Sequence, residues 1–187
     1  MIDNVSRTSN ILDFCEKYPE DILGVYKLGS CVVPFLKDAA RDCDYAIIVP
    51  DREAFRRMRA HIAYEWELSA GSVFVVINSD ELKITPYLWQ NEYAEHLYGT
   101  AHCRQYEEKF MPHSGEYAAM VRNEYEKFGM DMFHFKHSYL YLVGAYLLLL
   151  HGDAFSPEIQ IRIRLAHDNG LSAKDLRIIF YVFGLPE

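Results

Sequence analysis

Residues 28–45 read LGSCVVPFLKDAARDCDY and lead into the apolar run AIIV. Asp42 and Asp44 stand two apart where a strand begins, and strand side chains two apart share a face, so the spacing sets two carboxylates side by side. Held that close, two ionised carboxylates repel; either one takes a proton or a cation sits between them. Magnesium suits such a pair, because it is a hard ion commonly bound through one or two carboxylates together with substrate phosphates. Cys43, between them, faces the other way and reads as the small apolar residue that the strand needs there.

A phosphate-binding element lies just upstream. Gly29 lets the backbone come close to a ligand, while the Ser30 hydroxyl and the amides opening the next helical turn offer donors to phosphate oxygens. A Gly-Ser pair alone is a common turn, and a DxD alone is usually a solvated strand end. With 11 residues between Ser30 and Asp42, and each half attached to a β-strand, the two together are far more informative.

In this arrangement the chain resembles the DNA polymerase β-like nucleotidyltransferase superfamily, whose pattern is a hydrophobic residue, G, then G or S, a short helical spacer, and D-h-D-h. Leu28, Gly29 and Ser30 match the first part; Asp42, Cys43, Asp44 and Tyr45 match the second. The resemblance covers roughly the first half of the chain. It implies a mixed-sheet core that binds a nucleoside triphosphate with Mg²⁺ or Mn²⁺. It also implies a third carboxylate on a later strand. The segment DELKITPYLWQNEYAEHLYG looks like the third-acid strand and following helix of bacterial members, which gives that role to Glu81 and leaves Asp80 to the turn. Strand alternation agrees, since Leu82 and Ile84 share one face while Glu81, Lys83 and Thr85 share the other. Glu stands where Asp is usual and is one methylene longer.

Lys136, in FKHSYLYL, falls at a helix start where some branches carry a basic residue that reaches the triphosphate; on its own it reads equally well as a surface lysine. The mechanism implied has Asp42 and Asp44 holding a metal that bridges the triphosphate. With Glu81, a second metal activates an acceptor hydroxyl for attack on the α-phosphorus.

The elements that must position these residues are a strand at GVYKLGS, a brief helical turn at CVVPFLKDA, and a central strand at DYAIIVP. Before them, NILDFCEKY reads as a helix. After them come a helix from about 51 to 67, and SVFVVINSDELKIT, read as a hairpin about Asn78, Ser79 and Asp80. Pro86 is expected to start a helix, PYLWQNEYAEHLYG, closed by Gly99. Everything after about residue 100 reads as helical, with one stripe at Tyr117, Met120, Val121, Tyr125 and Phe128. A second stripe at Leu176, Ile179, Phe180 and Phe183 lies behind the cap Ser172 with Asp175. The fold class expected is α+β: a small nucleotidyltransferase-like mixed β-sheet with flanking helices in residues 1–105, then a helical domain in 106–187.

Composition narrows the function. The chain has 187 residues, 50% of them hydrophobic and 25% charged, with a formal net charge of -8. That balance suits a globular protein and argues against coating long nucleic acid, which needs clustered Lys and Arg. The densest basic run, Arg52, Arg56, Arg57 and Arg59, has acids interleaved and reads as a solvated helix face. Cys15, Cys31, Cys43 and Cys103 form no CxxC pair and no N-terminal signal is evident, so a cytoplasmic protein with reduced thiols is expected. YLYLVGAYLLLL is shorter than the roughly 20 residues a membrane span takes and reads as a buried helix, so no membrane partner is expected. The histidines, with Cys103, lack a second close pair at zinc spacing.

The activity expected is transfer of a nucleoside monophosphate from a nucleoside triphosphate to a hydroxyl, releasing pyrophosphate. The acceptor class stays open among small molecule, protein and RNA. The alternative is an inactive nucleotide-binding or protein-interaction module of the same fold, such as one partner of a toxin–antitoxin pair. Exposure of YLYLVGAYLLLL would favour a homo-oligomer formed through the C-terminal helices.

Overall fold

The computed structural model describes residues 4–40, 42–65, 73–78, 92–100 and 109–186. The described residues up to 100 form one compact unit and those from 109 onward form another. Across the described residues the chain is α+β, with a four-stranded mixed sheet and six α-helices.

The first unit opens with α1, Asn4–Lys17, which begins earlier than the residue-10 start read from the sequence. Strands β1 (Gly24–Leu28) and β2 (Asp44–Val49) follow, and between them lie a 3₁₀ turn at Ser30–Val32 and further hydrogen-bonded turns from Val33 to Ala40. Next come α2, Arg52–Glu65, and β3, Val73–Ile77. Asp51 caps α2 by accepting from the Glu53 and Ala54 amides at 2.8 and 2.9 Å, satisfying donors the first turn leaves without partners. The last strand, β4, is Glu95–Gly99.

The strand order is β3-β2-β1-β4. β1 runs antiparallel to both β2 and β4, whereas β2 and β3 are parallel, with α2 as the crossover that a parallel pair requires. One expectation is corrected here. Residues 95–99 were expected to close a helix but pair with β1, Gly24 lying opposite Gly99. Gly99 still ends its element at φ +78°, yet a Cβ there would meet the Leu23 carbonyl oxygen at 2.0 Å, so it is a strand end pressed on its neighbour. The first arm of the expected hairpin is β3, parallel to β2; the second arm, and Pro86 with it, lie outside the described residues.

The sheet has two unlike faces. Both described helices of this unit cover one, where Ile11, Phe14 and Cys15 of α1 and Ala54, Met58 and Ile62 of α2 pack on Val25, Tyr45, Ile47 and Val49. Positions 54, 58 and 62 are spaced four apart, so one stripe of α2 is buried while Arg52, Arg56, Arg57 and Arg59 stay exposed, as the sequence implied. Arg57 also grips Asp21, its Nη2 donating at 2.6 Å. The opposite face carries Tyr26, Leu28, Ala46, Ile48 and Val76.

The second unit is helical: α3 Ser114–Phe128, α4 Tyr139–Leu149, α5 Pro157–Asn169 and α6 Ala173–Phe183, with 3₁₀ turns at Met111–His113 and Gly129–His134. α4, within the long apolar run, is buried from Tyr139 through Leu147, as expected. Leu149, at its C-terminal end, is 46% exposed. No helix among the described residues is long and apolar enough to cross a membrane.

Gly144 of α4 lets α3 come close: a Cβ there would stand 2.3 Å from the Tyr117 ring. Tyr117 is fully buried between Phe110 and Phe183, and its hydroxyl donates to the Leu140 carbonyl at 3.1 Å. Phe128, placed in the same stripe by the sequence, is 56% exposed because α3 ends there. At α6 the capping box forms as read: Ser172 accepts from the Asp175 amide while the Asp175 carboxylate accepts from the Ser172 amide and from Arg162.

Candidate functional site

The two halves of the 28–45 stretch meet at one end of the sheet. The antiparallel register of β1 and β2 makes Leu28 the partner of Asp44, so the residue after β1 lies beside the residue that opens β2. That residue is Gly29, at φ +90°, a backbone conformation that side-chain-bearing residues rarely adopt. A Cβ on Gly29 would come within 2.7 Å of the Asp44 Oδ2. Glycine is therefore required twice, once by the turn and once by the carboxylate packed against it.

Ser30 follows at once, half-buried, and starts the 3₁₀ turn. The Gly29 and Ser30 carbonyls accept from the Val32 and Val33 amides, each at 3.3 Å. The turn is only three residues long, so it supplies local donors rather than a developed helix dipole. Beneath it Cys31 is buried, its thiol donating to the Leu28 carbonyl at 3.3 Å.

Asp42 and Asp44 are both half-buried, and Cys43 between them is 1% exposed in the helix-side core. β2 proper begins at Asp44, so Asp42 lies in the approach to the strand. Alternation along β2 puts Asp44 on the face of Ala46 and Ile48, opposite to Cys43. The role given to Cys43 from sequence agrees with this position.

The neighbours on that face are apolar. β1 offers Leu28 and Tyr26, and β3 offers Phe74 and Val76 through the pairs Ala46 with Phe74 and Ile48 with Val76. Phe74 is 46% exposed, an aromatic ring one strand away from the acids that the sequence reading did not single out. Its period-two pattern within VFVVI was the available signal. On β4, His96 pairs with Tyr26, and the two rings lie tilted with centroids 5.0 Å apart.

Glu81 lies outside the described residues. Lys136 is exposed in the turn before α4, in the second unit. The structure thus brings Gly29, Ser30, Asp42 and Asp44 to one end of β1 and β2, and Lys136 belongs to the second unit.

The donor set fits a hard divalent cation in a limited way. Two carboxylates and a serine hydroxyl are oxygen donors of the kind Mg²⁺ takes, but they are too few for an all-protein cage and leave most positions to water or phosphate. Among the described residues no group of three or more His, Cys, Asp and Glu side chains could hold a metal ion. In comparisons with protein-family models, curated proteins and solved structures, the chain matches none.

Proposed function

We propose that the chain is a metal-dependent nucleotidyltransferase that moves a nucleoside monophosphate from a nucleoside triphosphate to a hydroxyl acceptor. The observation that supports this is the contact between the Gly-Ser turn and the acid pair: Gly29 has no room for a side chain because the Asp44 carboxylate occupies it. The turn that carries Ser30 and the strand end that carries Asp44 therefore meet, where one metal-bound phosphate could be shared between them.

Asp42 and Asp44 would hold the cation, and Ser30 would donate to a phosphate oxygen. Glu81 is the proposed third carboxylate, and Lys136 the proposed basic contact to the triphosphate. Mg²⁺ or Mn²⁺, when bound, would neutralise phosphate charge and polarise the α-phosphorus. Acceptors to be tried are small molecules, protein side chains and RNA ends.

A second reading, binding without transfer, draws support from the apolar surroundings. The strand next to the acids puts Phe74 and Val76 on their face, so among the described residues β3 adds no carboxylate to it. Incubation with each labelled nucleoside triphosphate and Mg²⁺ or Mn²⁺, with and without acceptors, separates the two. Transfer abolished in both Asp42→Ala and Asp44→Ala is expected for the enzyme. Metal-dependent binding with no product favours the module, and no binding by the wild type, with neither variant altering anything, overturns both.

A further inference from the structure

Cys31 and Cys43 lie on the two halves of the candidate site, one directly after Ser30 and the other between Asp42 and Asp44. Sequence spacing does not announce them as a pair, because they come together across the β1–β2 connection rather than within a CxxC. In the fold both enter the same helix-side core, 8% and 1% exposed, and neither is in a disulfide. The Leu28 carbonyl that accepts from the Cys31 thiol belongs to the residue paired with Asp44, the immediate neighbour of Cys43. The Cys43 thiol stands within reach of Cys31 and, together with burial, pushes the Cys31 thiol up.

We propose that Cys31 and Cys43 are a redox modification site, a dithiol that closes to a disulfide under peroxide and so clamps the Gly-Ser turn to the acid strand. The chemistry balances as two steps. Peroxide oxidises one thiol to a sulfenic acid as its O–O bond breaks, and one water leaves. The second sulfur then attacks the sulfenic sulfur, the S–S bond forms, and a second water leaves, so two electrons pass from the thiols to one peroxide. Both thiols are buried, 8% and 1% exposed, so peroxide does not reach them in the closed fold. Reaction therefore proceeds through transient opening of the turn and is slow compared with an exposed thiol.

Closure has a structural consequence because Gly29 has no slack. A covalent S–S bond is about 2.05 Å, much shorter than any thiol–thiol contact, so it draws Cys31 toward Cys43. Gly29, two residues before Cys31, already abuts the Asp44 carboxylate. This consequence for ligand binding rests on the reading of Asp42 and Asp44 as cation ligands; the cross-link itself does not. The expected loss in Mg²⁺–nucleotide affinity on oxidation is roughly 10- to 100-fold, the range for disturbing groups that orient metal ligands. Thiol reductant restores it.

The test treats the full chain with hydrogen peroxide, blocks remaining thiols by alkylation, and maps the peptides, with Mg²⁺–ATP binding measured in parallel before and after reduction. A reducible Cys31–Cys43 cross-link is expected in the wild type. Cys43→Ser and Cys31→Ser should each lose it, while Cys15→Ser, which removes a third buried thiol of the same core, should keep it. Recovery of Cys31 and Cys43 as alkylated thiols after peroxide exposure that oxidises exposed methionines overturns the proposal. So does a cross-link using Cys15 instead. If the cross-link forms but the reduced protein binds no Mg²⁺–ATP, the modification site stands and the nucleotide reading falls. If the reduced protein binds Mg²⁺–ATP and no cross-link forms, the reverse holds.

Discussion

Gly29 and Gly144 both sit where a side chain has no space, and what fills the space differs. At Gly144 it is the ring of Tyr117, fully buried, edge-on to Phe110 and Phe183, with its hydroxyl satisfied by Leu140. That contact is packing: a large ring gains dispersion and hydrophobic energy by lying against a bare helix backbone. At Gly29 it is a half-buried carboxylate. A carboxylate loses hydration on burial where a ring gains contact energy, so the same shortage of room has different physical content in the two units, and the proposed function rests on the one that holds a carboxylate.

Removing the ring should have the largest effect. Tyr117→Ala opens a cavity and leaves the Leu140 carbonyl without its donor, and should destabilise the chain by about 3–5 kcal/mol in urea unfolding. A cost under about 1 kcal/mol would break the comparison on its packing side. Next comes Gly29→Ala, which meets both the positive φ and the carboxylate and should cost about 1–3 kcal/mol. Asp44→Ala added to it should recover the steric part of that loss, and a double-mutant cycle measures the coupling. Strict additivity would mean that Gly29 is there for its turn alone.

The capping box of α6 gives a smaller, pH-dependent effect. Burial pushes the Asp175 carboxyl up, but hydrogen bonds from Ser172 and Arg162 outweigh it and hold the group below the ordinary carboxylate value. A depressed folded value means stability that is complete above the unfolded value of about 3.9 and lost as pH falls through the lower folded one. Asp175→Asn should therefore cost about 1–2 kcal/mol at neutral pH and remove that acid limb, as chemical denaturation at a series of pH values would measure. The smallest effect is expected at Lys136. An exposed lysine contributes up to about 1 kcal/mol to a phosphate contact, so Lys136→Ala should weaken Mg²⁺–ATP binding by up to roughly fivefold and less so at high salt. Unchanged affinity at low salt would confine binding to the first unit.

What the sequence made legible follows the range of the interactions. The α6 cap needs only Ser172 and Asp175, three residues apart, and it forms as read. The interior position of α4 follows from an apolar run with no polar side to turn outward. The turn at Gly29 and the strand at Asp44 were legible because each is local, and the register that joins them spans one short connection. β4 was not. YAEHLYG has spacing that suits a helix, and only pairing with β1, far back in the chain, makes it a strand. The Cys31–Cys43 contact was hidden for the same reason, since each cysteine looks solitary until the turn folds onto the strand. Phe74 passed as an ordinary apolar residue of a strand because the acids share its face only once β3 lies parallel beside β2.

The pairing of residue 24 with residue 99 also sets an order of events. During synthesis β1 and β2 can meet as soon as they emerge, yet β1 lacks its second neighbour until the chain is made through Gly99, and closing so long a loop is entropically costly. The Gly29–Asp44 contact belongs to the early pair. A nascent chain stalled between residues 78 and 95 would therefore carry the acid pair on a sheet still missing β4, with one edge of β1 open to a chaperone.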